Sequence, residues 1–207
     1  LYFVLDPSVR PDRPLVDVLR KAAALGVRLF QYRDKQASMK AAYTQALALR
    51  QAATEAGVCL IINDRCDLAL AVNADGVHLG QDDLPVADAR RILGPDALIG
   101  LSTHGPEQVR QAARLKPDYI GFGPIFSTTT KADHDPVVGL DGLRAARALT
   151  TMPMFAIGGI TADNVEDIVA AGANGVAVIS AILKAPDLEQ AIKTFQRPWA
   201  RPARPTP

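Results

Sequence analysis

Short apolar runs, many of them β-branched, alternate along this chain with longer stretches whose apolar residues recur at helical spacing. The runs fall at 1–5, 27–32, 58–62, 75–79, 97–101, 118–123, 153–158 and 175–179, and each predicts a strand. Helical spacing is strongest at 14–25, 38–56, 105–115, 140–150, 161–171 and 187–196, with shorter helices over 64–73 and 85–93. Punctuation agrees with these elements. Ser38 and Thr161 stand where N-caps are wanted, and Gly26, Gly57, Gly94 and Gly172 follow helical patterns as left-handed terminators. Pro85 and Pro106 suit first-turn positions. Sustained strand–helix alternation implies parallel strands joined by right-handed crossovers. Eight cycles within 207 residues predict an α/β fold, a compact single (β/α)8 TIM barrel. The alternative, an open doubly wound sheet, would have about five or six cycles and a single crevice.

Composition narrows the picture further. The length fits one domain, with the barrel over 1–196 and a Pro/Arg-rich tail over 197–207 that reads as solvated. Lys and Arg (23) nearly balance Asp and Glu (22), leaving a net charge of +1 and no broad basic field for nucleic acid. Anions must therefore be held by local clusters. Of the two cysteines, Cys59 sits in an apolar run and Cys66 in the first turn of a helix; neither disulfide nor zinc spacing results, which suits a reducing cytoplasm. No apolar stretch is long enough to span a bilayer, and no signal peptide is visible. The chain opens inside a strand without Met, so some native N-terminal residues are expected to precede it.

Small polar clusters end most of the strands, which is where a parallel barrel builds its site. The second strand ends in Gln31-Tyr32-Arg33-Asp34-Lys35, and alternation puts Gln31 and Arg33 on one face above Leu29, with Phe30 and Tyr32 toward the helices. Arg33 and Lys35 suit phosphate oxygens, although a solvated strand exit paired with Asp34 reads equally well. Asn63-Asp64 closes the third run and could instead cap the following helix. Asp83 follows the fourth, and carboxylates from neighbouring strand ends can share a hard cation. His78 lies within its strand and reads as a satisfied core histidine, or one behind the residues that touch a ligand, and not as a ligand itself. Ser102-Thr103-His104 is too local for a catalytic triad and suits ring binding or helix capping. Gly121 through Lys131 combines close-approach glycines with Thr128, Thr129, Thr130 and a cation, and Ala132 to Asp135 reads as a lid or a solvated charged loop. Gly158-Gly159 and Ile179-Ser180 end the seventh and eighth strands, a common place for a phosphate.

These ordered pieces, from Gln31-Tyr32-Arg33-Asp34-Lys35 through Ile62-Asn63-Asp64-Arg65, Asp75 to Asp83, Ile99 to His104, Asp118 to Pro124, Thr128 to Lys131 and Ile157 to Ile160, resemble the thiamine-phosphate synthase family. The similarity runs from Tyr2 to about Ile182. The resemblance implies an Mg2+-assisted transferase that joins an aminopyrimidine methyl diphosphate to a thiazole ethyl phosphate and releases pyrophosphate. It places Arg33, Lys35, Asn63 and Lys131 on the diphosphate, with Arg33, Lys35 and Lys131 catalytic, and Asp64 and Asp83 on magnesium. Gln31 and Ser102 would hold the pyrimidine, and Thr128, Thr130, Gly159, Ile179 and Ser180 the thiazole phosphate. Its partners would be these small molecules, without nucleic acid or membrane; a homo-oligomer is left open. Two rivals share the barrel. A regulator-like or isomerase paralogue would lack the full cation set, and a non-catalytic phosphate-binding protein would not need the Asp64/Asp83 pair.

Overall fold

The computed structural model of the chain describes residues 1–128 and 136–200. Its eight strands are β1 (Tyr2–Leu5), β2 (Leu29–Tyr32), β3 (Cys59–Asn63), β4 (Gly76–Leu79), β5 (Leu98–Thr103), β6 (Tyr119–Phe122), β7 (Met154–Ile157) and β8 (Gly175–Val178). They pair in chain order, all parallel, and Tyr2 opposite Ala177 closes β1 onto β8. The expected (β/α)8 barrel is therefore present. Around it lie α1 (Leu15–Ala24), α2 (Met39–Ala56), α3 (Cys66–Ala71), α4 (Val86–Leu93) and α5 (Pro106–Leu115). The ring continues with α6 (Gly139–Leu149), α7 (Val165–Ala170), α8 (Ser180–Leu183) and α9 (Leu188–Ala200). Among the described residues no helix is long and apolar enough to cross a membrane.

The sequence punctuation works largely as expected. Ser38 Oγ accepts the Ala41 N–H at 3.3 Å, and Gly26, Gly57, Gly94 and Gly172 all have positive φ. Two boundaries differ. α7 starts at Val165 instead of near Thr161, because Asn164 folds back: its Oδ1 accepts the Thr161 N–H (2.9 Å) and its Nδ2 donates to the Gly159 carbonyl (3.1 Å). α9 runs past the expected tail boundary at 197, through Pro198 to Ala200. Trp199 packs against the core there, and Arg197 meets Glu166 at 3.0 Å, so apolar burial carries the helix over a residue that has no N–H to give.

Register decides what fills the barrel. Val4, Gln31, Ile61 and Gly76 stand level on successive strands, as do Asn63, His78, Gly100 and Tyr119. Side chains alternate along a strand, so Tyr2, His78, Tyr119 and Phe155 share the inward parity. Their rings meet at centroid separations of 5.3 to 5.7 Å for Tyr2–Phe155, His78–Tyr119, Tyr119–Phe155 and Tyr2–Tyr119. Gly100 makes room for them: a Cβ there would stand 2.2 Å from the Tyr119 ring and 2.4 Å from His78 Nδ1. Phe3 and Phe30 point the other way and pack at 6.1 Å beneath the helices.

At the opposite end from the site, one device recurs three times. Asp75, Asp118 and Asn174 precede β4, β6 and β8, and each accepts the N–H of a first or second residue of the neighbouring strand: Leu60 (2.7 Å), Ile99 (2.7 Å) and Met154 (2.9 Å). Each side chain is gripped by an arginine, Arg50 of α2, Arg90 of α4 or Arg147 of α6. Asp75 and Asp118 thus belong to the wall and not to the chemistry.

Candidate active site

The C-terminal rim gathers its charges in two groups. β2 leaves the wall at Tyr32, yet the Arg33 N–H still donates to the Leu5 carbonyl at 3.0 Å, so Arg33 keeps the inward parity of Gln31. Its guanidinium meets Asp6. The Arg33 side chain is 12% exposed and that of Asp6 only 2%. Asp6 Oδ1 also accepts from the Ser8 N–H (3.0 Å) and Oγ (2.6 Å). A buried carboxylate with this many donors holds the guanidinium in one pose, and among the described residues its other N–H groups stay available to an anion.

The second group is Lys35, Asp64 and Asp83. Lys35 Nζ pairs with Asp64 Oδ2. Asp64 adopts a left-handed backbone (φ 61°) and its N–H donates to the His78 carbonyl at 2.8 Å. A non-glycine residue in that region costs about 1–3 kcal/mol, a strain typical of functional positions. Asp83 Oδ2 accepts the Gly80 N–H at 2.6 Å. Burial pushes the Asp83 carboxyl above the ordinary range, and the neighbouring Asp64 carboxylate pushes the same way, while Gly80 and Lys35 pull it down. Neither Asn63 nor Asp64 serves as a helix cap, since α3 begins after Arg65 without a side-chain cap. Two neighbouring carboxylates, one of them held above its ordinary range, are a donor set for a hard cation. They fit magnesium, which commonly takes one or two protein carboxylates and completes its shell with phosphate and water.

A polar stripe runs through the barrel interior. Gln31 is buried and its Nε2 donates to Tyr2 Oη at 2.6 Å. Ser102 Oγ lies 3.0 Å from His78 Nε2, and His78 Nδ1 lies 3.2 Å from Tyr119 Oη. A phenol, not a carboxylate, stands behind this imidazole, so Ser102 and His78 form no acid–base triad. His104, close to Ser102 in sequence, turns away: its Nδ1 meets the Gly123 carbonyl at 2.6 Å. Both thiols, Cys59 and Cys66, are pushed up by burial, so neither is poised as a nucleophile.

The remaining candidates lie on the opposite arc. Gly159 (φ 63°) makes the turn after β7, where a Cβ would fall 2.5 Å from the Ser127 carbonyl oxygen, and the Phe126 N–H donates to the Gly158 carbonyl at 3.0 Å. These contacts bring the segment ending at Thr128 against the glycine turn. Ile179 and Ser180 begin α8 at the end of β8. Thr130, Lys131 and the expected lid through Asp135 lie outside the described residues. Asp6, Tyr2, Tyr119 and Asn164 are site neighbours that the sequence pattern does not single out. Asp6 could have been found by carrying the parity of Tyr2 and Val4 one step past β1.

A closed parallel barrel whose rim gathers cations and paired carboxylates defines a barrel enzyme for anionic small molecules. More narrowly, the chain belongs to the thiamine monophosphate synthase family, whose family model matches residues 1–182. It is 48% identical over 196 residues to the thiamine-phosphate synthase of Chloroflexus aurantiacus, covering 95% of this chain and 90% of that one. With the thiamine-phosphate synthase of Syntrophomonas wolfei it shares 45% identity, covering 97% and 96%. Among solved structures it superposes on the thiamine phosphate pyrophosphorylase of Pyrococcus furiosus with a TM-score of 0.84 at 35% identity, covering 95% of this chain and 93% of that one.

Proposed function

We propose that this chain is a transferase that joins 4-amino-2-methyl-5-(diphosphooxymethyl)pyrimidine to 4-methyl-5-(2-phosphooxyethyl)thiazole, giving thiamine phosphate and pyrophosphate. What supports this reading is that the Arg33–Asp6 pair and the Lys35–Asp64 pair with Asp83 both stand on the C-terminal rim of one barrel. A non-catalytic binding protein on the same scaffold would have no need of the Asp64/Asp83 carboxylate pair.

Arg33, Lys35 and Asn63, with Lys131, receive the diphosphate. Preset N–H donors aimed at oxygens that gain charge as the C–O bond breaks stabilise the departing anion without reorganisation. Asp64 and Asp83 would hold magnesium, which would supply further neutralisation of that charge. Gln31 and Ser102 hold the pyrimidine so that its electron-rich ring supports positive charge on the exocyclic carbon. Thr128, Thr130, Gly159, Ile179 and Ser180 hold the thiazole phosphate so that the thiazole nitrogen faces that carbon. Its lone pair forms the new C–N bond. No protein nucleophile takes part, and Ser102 stays unmodified. Free thiols at Cys59 and Cys66 suit work in the cytoplasm.

Incubation with both substrates and magnesium tests the proposal. Pyrophosphate release should require both substrates and stop on adding a chelator; binding of the thiazole phosphate without release would point to a binding protein instead. At the thiazole end, Gly159→Ala should raise KM for the thiazole phosphate about tenfold, the worth of one lost hydrogen bond, because its Cβ would displace the Ser127 backbone. An unchanged KM would remove this turn from the phosphate site.

A further inference from the structure

Five side chains form one hydrogen-bonded chain through the barrel. Gln31 Nε2 meets Tyr2 Oη at 2.6 Å, Tyr2 Oη meets Tyr119 Oη at 2.8 Å, Tyr119 Oη meets His78 Nδ1 at 3.2 Å, and His78 Nε2 meets Ser102 Oγ at 3.0 Å. Its two ends are the residues assigned to the pyrimidine; Tyr2, Tyr119 and His78 in the middle have no role in the chemistry above. Tyr2, Tyr119, His78 and Gln31 are all buried, and burial keeps both phenols protonated by pushing them well above their ordinary value.

A phenol has a single hydrogen to donate, so the chain has a direction. Gln31 donates to Tyr2, whose hydrogen must then go to Tyr119. Tyr119 in turn donates to His78 Nδ1. That nitrogen is left bare, so the neutral imidazole carries its hydrogen on Nε2 and donates to Ser102. With its lone pair engaged from behind, the Ser102 hydroxyl turns its own hydrogen toward the mouth. At the other end, the Gln31 amide spends an N–H on Tyr2 and keeps its carbonyl for a ligand.

We propose, resting on the pyrimidine reading of Gln31 and Ser102, that Tyr2, Tyr119 and His78 are positioning residues that fix Ser102 as the donor and Gln31 as the acceptor toward the ring. An aminopyrimidine edge offers the complement, an amino N–H beside a ring nitrogen lone pair. Its 4-oxo counterpart reverses that pattern, with a ring N–H beside a carbonyl, and must make do with the second Gln31 N–H and the second Ser102 lone pair in place of the groups the chain turns toward the mouth. The buried relay therefore favours the amino ring over the oxo ring.

Imidazole 15N shifts of the unliganded protein, with the signal assigned by its loss in His78→Gln, read the direction. The neutral Nε2–H tautomer is expected at His78; the Nδ1–H tautomer overturns the proposal. Steady-state kinetics follow. Tyr119→Phe should raise KM for the aminopyrimidine diphosphate about tenfold, cut the preference over the 4-oxo diphosphate by a similar factor and leave KM for the thiazole phosphate unchanged. His78→Gln, which retains a donor toward Ser102, should recover most of what His78→Leu loses. Equal loss for both substrates, or a fall in thermal stability with the preference intact, would make the chain merely structural and sink the proposal. Absence of pyrophosphate release from the wild type would bring down the pyrimidine reading and this inference together. Normal release with an unaltered preference in Tyr119→Phe would bring down the inference alone.

Discussion

Replacing Arg33 with alanine is expected to lower kcat/KM by about 10²–10³, the usual cost of deleting one preorganised electrostatic donor. Asp6 explains why this arginine is preorganised. Its carboxylate is buried, receives two hydrogen bonds from Ser8 and holds the guanidinium before any substrate arrives. The same arrangement gives the substitution a second consequence. Asp6 would be left buried without its counter-charge, and such orphaning costs about 3–5 kcal/mol of stability. Arg33→Lys separates the two effects. Lysine restores a positive charge against Asp6 but has no fork to engage carboxylate and phosphate together. Melting should then return close to the wild-type temperature while kcat/KM stays about tenfold down, a deficit of one hydrogen bond. Pyrophosphate release and thermal denaturation of the two variants supply the check. Wild-type kcat/KM in Arg33→Ala would remove the residue from the mechanism.

The carboxylate pair should respond in opposite directions for activity and stability. Asp64→Asn or Asp83→Asn is expected to raise the magnesium concentration for half-maximal rate by about 100-fold, at the upper end of what perturbing a metal's surroundings costs. Without metal, Asp83→Asn should melt higher than the wild type. The sign follows from the raised Asp83 carboxyl: the folded protein binds its proton more tightly than the unfolded chain, so ionisation weakens the fold. The stability gap between variant and wild type is therefore absent at low pH and opens as pH climbs above the ordinary value of 3.8 through the raised one. The amide introduced by Asp83→Asn can still accept the Gly80 N–H through its oxygen, so the loop after β4 keeps its shape. A metal-free variant that melts lower than the wild type at neutral pH, with an unchanged magnesium requirement, would show that the two carboxylates do not share a site.

Local signals made the barrel legible. Each strand is a short apolar run, each major helix shows its spacing, and eight cycles leave few ways to close a sheet. The rim was legible for a related reason: Gln31 and Arg33 occur two apart, so alternation alone places them together. What escaped needs information that no window of sequence contains. Tyr2 and Tyr119 read as ordinary core aromatics, and only closure of the barrel brings hydroxyls 117 residues apart to within 2.8 Å. Asp6 precedes a proline and looks like the start of a turn; one further residue of parallel pairing turns it into the seat of Arg33. The four-residue α8 is too short to express a helical period. Asn164 took over the start of α7 from Thr161 because its amide reaches both ends of the glycine turn.

The arginine clasps at the far end of the barrel have a consequence for how this molecule can be rebuilt. They link residues 25, 28 and 27 positions apart, Arg50 to Asp75, Arg90 to Asp118 and Arg147 to Asn174. Each fastens one helix to the next two strands, so the wall is cut into self-contained pairs of staves. A donor barrel carrying the same Arg–Asx fastening could lend such a pair as a cassette, its seams falling in the loops. New rim chemistry would arrive with the graft while the hoop stayed shut.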